Sequence, residues 1–138
     1  MERRDFLKNT LAVCGLGLLP VGIIQSCTKS SNSGPTNVNF TLDLTNSANS
    51  TLTAVGGALT ANGVIVIRKS ATLFVALSAT CTHEGCAVNY DASSTNVVCP
   101  CHGGVFNSST GAVISGPPPS ALTTYTATLS GNILTVKS

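Results

Sequence analysis

Tryptophan is absent, aromatic residues make up 4% of the chain, and charged residues only 9%. Seven basic residues stand against five acidic ones, a formal charge of +2, and no Lys/Arg stripe runs along any segment. That excludes the electrostatic footprint of a nucleic-acid partner. Glu, Lys and Arg, the usual filling of helical bundles, are scarce. Gly, Ser, Thr, Asn and Val fill much of the 138-residue chain instead, a composition of short strands and tight turns. The expected fold class is all-β, and the length suits one domain once a targeting segment is set aside.

Residues 11–24 run for 14 positions without a charge, too short for a comfortable membrane span. Ahead of them lie Arg3 and Arg4, followed by Phe6 and Leu7. A basic head and an apolar run of this length have the layout of a secretory signal over residues 1–26. The arginine pair resembles the signal of the Tat system, which exports proteins already folded around a cofactor. Ile24-Gln25-Ser26-Cys27 resembles a bacterial lipobox, with Cys27 as the lipidated residue. Residues 27–37 read as a flexible Ser/Asn/Gly/Pro tether. An uncleaved N-terminal anchor is the alternative, and either reading puts the domain outside the cytoplasm, attached to a membrane.

The remaining chain, residues 38–138, carries strand signals at both ends. Residues 38–44 alternate with period two, and so do 124–129 and 133–136. Asn62-Gly63 between two apolar runs marks a hairpin, and residues 71–77 read as a further strand. Between these halves lies a segment of different character, residues 79–120, with both histidines and four of the six cysteines.

Cys81-Thr82-His83 and Cys99-Pro100-Cys101-His102 each supply a thiolate and an imidazole, 15 residues apart. Two Cys and two His can close a zinc site. Cys-x-His is tighter than usual knuckle spacing, however, and Cys86 and Cys101 would have no role. The pattern Cys-x-His…Cys-x-x-His resembles the Rieske iron–sulfur proteins. That resemblance implies one [2Fe-2S] cluster, with Cys81 and Cys99 on one iron and His83 and His102 on the other. Cys-Thr-His-x-Gly-Cys and Cys-Pro-Cys-His-Gly match the disulfide-containing subgroup, which implies a Cys86–Cys101 bond. Gly116-Pro117-Pro118-Pro119 corresponds to the family's proline loop, a stiff apolar cover. The implied fold is an antiparallel sandwich with a small cluster-binding subdomain between two strand-rich halves.

Respiratory members typically carry a leucine, a serine and a tyrosine where this chain has Glu84, Gly104 and Phe106. Hydroxyls that stabilise a reduced cluster are therefore missing, and the expected potential lies low in the Rieske range of about −150 to +300 mV. Glu84, expected beside an exposed His83, disfavours an apolar quinol. These residues, with Pro117, are the expected tuning positions. The implied function is one-electron transfer with redox protein partners, a cytochrome or a larger oxidoreductase subunit. The alternative is the Rieske subunit of a quinol-oxidising cytochrome bc complex.

Overall fold

Asn62 and Gly63 both take positive φ, 53° and 76°, and fold β2 (Ala58–Ala61) back onto β3 (Val64–Arg68) in a two-residue hairpin turn. This computed structural model describes residues 34–138. The expected export signal, Cys27 and the first part of the tether lie outside the described residues. Before the hairpin come β1 (Asn39–Asp43) and a 3₁₀ turn at Ser47–Leu52, capped where Asn46 accepts from the Ala48 amide. After it, β4 (Phe74–Ser78) pairs antiparallel with β3. The chain closes with β9 (Thr124–Ser130) and β10 (Ile133–Lys137), a second hairpin that also holds β1.

These six strands form one antiparallel sheet in the order β1-β10-β9-β4-β3-β2. β9 joins its halves: Thr124 and Tyr125 pair with β4, and Thr126 to Ser130 with β10. Four strands of three residues each, β5 (Asn89–Asp91), β6 (Asn96–Val98), β7 (Val105–Asn107) and β8 (Val113–Ser115), make a separate antiparallel sheet inside residues 79–120. The two-sheet, nearly all-β architecture expected from the sequence is the one observed.

The unbroken run Val64-Ile65-Val66-Ile67 has a physical cause. Val64 and Val66 face one core, with Leu42, Phe74, Tyr125 and Leu134, while Ile65 and Ile67 face another, with Leu77, Val97 and Phe106. A strand buried on both faces needs no alternation. The second core also takes up Cys81 and Cys99, 1% and 3% exposed. Burying the apolar face of the insert thus carries two cysteines inward.

One expected strand boundary is corrected. The strand expected from Ala71 starts at Phe74, because Ser70 Oγ accepts from the Leu73 amide at 3.0 Å and Lys69 N–H donates to Leu73 O at 2.8 Å. Arg68 pins that turn and the 3₁₀ segment by donating to the carbonyls of Ala71 and Leu52. Gly34 and Pro35, read as tether, are held against the domain. Tyr125 donates its hydroxyl to Pro35 O at 2.7 Å, and a Cβ on Gly34 would fall 2.4 Å from Ser78 Oγ.

Candidate metal centre

Two six-residue loops rise from the insert and close in the same way. In the first, Cys81 N–H donates to Cys86 O at 2.8 Å and Gly85 N–H to Cys81 O at 2.9 Å. In the second, Cys99 N–H donates to Gly104 O at 2.7 Å and Gly103 N–H to Cys99 O at 3.0 Å. The fifth residue of each loop has positive φ, 77° at Gly85 and 72° at Gly103, a conformation that favours glycine. Each loop therefore begins on a cysteine rooted in the core and turns its histidine toward the surface.

Cys86 and Cys101 form the expected disulfide, Cα–Cα 6.5 Å, and tie the loops together. Cys81 and Cys99 remain free thiols, buried side by side. Burial pushes the Cys81 thiol up, and the adjoining Cys99 thiol adds to this against backbone hydrogen bonds from His83 and Glu84. Metal binding at Cys81 must therefore expel a thiol proton that burial holds in place.

The imidazoles of His83 and His102 meet edge to face, centroids 4.8 Å apart at 88°. His83 Nδ1 is shielded from solvent, whereas the His102 side chain is 45% exposed. Glu84 does not act where sequence order put it. Its carboxylate lies 3.6 Å from His102 Nδ1, on the opposite loop, which the disulfide ties in through Cys86, two residues after Glu84, and Cys101, next to His102.

The proline loop covers the second loop through Pro118, which is buried, while Pro117 is exposed. A Cβ on Gly104 would come within 2.6 Å of Pro118 Cγ, and one on Gly116 within 2.8 Å of Gly104 Cα. Thr82 Oγ1 donates to Ser120 O at 2.6 Å and fastens the first loop to the end of the same cover. Phe106 is fully buried in the core that holds both free cysteines. Sequence reasoning missed Pro118 as the contact residue, since three consecutive prolines do not say which one points inward.

The donor set can be tested for the group it fits. Around one zinc ion, thiolate and imidazole donors would all lie about 3.6 Å apart, given Zn–S near 2.3 Å and Zn–N near 2.0 Å. Among the described residues, three-donor groups within 4.8 Å are His83/Glu84/His102 and Cys86/Cys99/Cys101. Neither mixes a thiol with an imidazole, and the second contains both sulfurs of the disulfide. A pair of thiols below and a pair of imidazoles above suits two metal ions better than one.

Fold and site together define a small, nearly all-β protein whose paired cysteines and paired histidines could hold a two-metal centre. The sequence profile of the Rieske [2Fe-2S] domain matches residues 37–126, and the chain belongs to that family, which implies a [2Fe-2S] cluster. It is 42% identical over 73 residues to the cytochrome b6-f complex iron-sulfur subunit of Chlorobaculum thiosulfatiphilum, covering 53% of this chain and 39% of that subunit. The chain thus spans about two fifths of this curated relative. Among solved structures it is similar to the cyanobacterial plasma membrane Rieske protein from Synechocystis PCC 6803, 38% identical with TM-score 0.55, covering 64% of this chain and 93% of that one. It is also similar to the ferredoxin of carbazole 1,9a-dioxygenase from Nocardioides aromaticivorans IC177, 27% identical with TM-score 0.52, covering 75% of this chain and 98% of that one.

Proposed function

We propose that the chain is an exported, membrane-anchored electron-transfer domain, a carrier or the small subunit of an oxidoreductase, not an enzyme on its own. In this reading Cys81 and Cys99 hold one iron, and His83 and His102 the other. The observation that carries it is the separation of donors, both thiols in the core and the imidazole of His102 45% exposed. When bound, the cluster supplies a one-electron couple whose potential neutral imidazoles raise above that of an all-cysteine centre. The protein's own residues hold the loops by the disulfide, exclude water with Pro118, and leave an imidazole edge for exchange.

The arginine pair, Cys27 and the polar stretch behind it support export and lipid anchoring on the outer side of the membrane. Among the described residues no helix is long and apolar enough to cross a membrane. The test is a redox titration of purified full-length protein followed by electron spin resonance. Two irons and two acid-labile sulfides per chain, with a signal altered by His83→Cys, are expected. Stoichiometric zinc without iron overturns the reading.

A second reading, the Rieske subunit of a quinol-oxidising cytochrome complex, is favoured by the likeness to the Chlorobaculum cytochrome b6-f subunit. Quinol docks against an apolar lip, and here that lip carries the 58% exposed Glu84. A potential near the top of the Rieske range, with direct oxidation of quinol by the full complex, would make this second reading the better one.

A further inference from the structure

Loop residues 81–86, 99–104 and 116–120 contain one formally charged side chain between them, that of Glu84. Among the described residues the cations stand on other elements. Arg68 is held by the carbonyls of Leu52, Thr53, Ser70 and Ala71, Lys69 donates to Ser108 Oγ, and Lys137 ends β10. The Glu84 carboxylate is more than half exposed beside the imidazole through which the site meets solvent. Two residues before Gly116, edge strand β8 adds an apolar flank, with Ile114 53% and Val113 36% exposed.

We propose that Glu84 selects the redox partner, and that this surface docks a one-electron redox protein with a positively charged exchange face. The proposal rests on the electron-transfer reading of the site. One electron leaves the reduced centre and the partner gains it, with no bond made or broken. A lone carboxylate in an uncharged rim fits such a partner on two counts. A facing cation compensates its desolvation on docking, whereas an apolar or anionic surface leaves it unpaired. The aliphatic flank supplies the dry contact that a small interface needs around its charge pair.

The test uses reduced full-length holoprotein, oxidised in stopped flow by cationic tris(phenanthroline)cobalt(III) and by anionic hexacyanoferrate(III). Both oxidants draw on the same donor potential, so the ratio of their rates is insensitive to any shift in potential caused by substitution. At low ionic strength Glu84→Gln should lower the cationic-to-anionic ratio by at least about fivefold, the factor for one unit-charge pair at about 4 Å in a water-like dielectric. High salt should erase the difference, and the remote Asp43→Asn should leave the ratio unchanged. A binding readout needs no electron transfer: redox-inert, paramagnetic hexaamminechromium(III) should broaden the nuclear resonances of Ile114 and Ser120, and Glu84→Gln should remove that broadening. An unchanged rate ratio and unchanged broadening in Glu84→Gln would overturn the proposal while the cluster reading stood. Absence of an iron–sulfur signal would instead overturn the cluster reading, with the chromium experiment still deciding on the Glu84 surface.

Discussion

Phe106→Tyr adds a single hydroxyl to a side chain with no exposed surface. The ring sits on β7 opposite Val97, in the core that takes up Cys81 and Cys99. Water cannot satisfy the new group, so it either meets a ligand sulfur or remains unpaired. Unpaired, it costs about 1–3 kcal/mol, and a domain of about 100 residues loses roughly 4–8 °C of melting temperature per kcal/mol. Paired with a charged sulfur, the hydrogen bond contributes about 1.5–3 kcal/mol. Only the part that strengthens on reduction moves the potential, by about 40 mV per kcal/mol for one electron. The expected outcome is a potential raised by tens of millivolts with the melting temperature nearly unchanged. A spin-resonance titration and a thermal melt on one preparation measure both. A lower melting temperature with an unmoved potential would place the ring away from the sulfurs and refute the reasoning.

Gly104→Ser also offers a hydroxyl, but its Cβ would lie 2.6 Å from Pro118 Cγ. Overpacking of that kind costs about 1–3 kcal/mol, so the variant should lose its cluster faster on warming, followed by absorbance. Replacing Cys86 and Cys101 by Ser opens a loop of 15 residues' separation and should cost roughly 3 kcal/mol; mass mapping of the alkylated wild type should find both cysteines protected until reduction. Burial raises the Tyr125 phenol above 10.0, so its contribution is complete below pH 10.0 and is lost as pH rises through the raised value. The phenolate cannot donate to Pro35 O, and thermal stability should fall in that window for the wild type but not for Tyr125→Phe. Changing Arg3 and Arg4 to Lys should strand the holoprotein in the cytoplasm, and Cys27→Ala should release it from the membrane fraction, both read by fractionation.

Hairpins were the legible part of the fold because their turns need particular residues. Asn62-Gly63 and Gly131 hold positive φ where the sequence marks the turns. The start of β4 was not legible, because residues 71–73 look strand-like while the contacts that bend them come from Ser70 and the distant Arg68. Strands β5 to β8 have three residues each, too few for an alternation to show. The insert was readable only through its cysteines and histidines, whose spacing reflects two loops with one closing geometry.

What the sequence hid at the site is contact between loops. Order along the chain puts Glu84 next to His83, but the disulfide delivers it to His102. Gly104 reads as a missing hydroxyl, yet the structure makes it a condition for Pro118 to close, just as Gly116 must lack a side chain to reach Gly104. The absent serine and the tight cover are therefore one feature. Each acts on the potential in the same direction. Were a cluster bound, an added electron would find no hydroxyl at position 104 to share its charge, and the buried Pro118 would keep water from taking that place. On the electron-transfer reading this one contact would lower the potential in two ways, and loosening the cover at Pro118 should raise the potential even with no hydroxyl introduced.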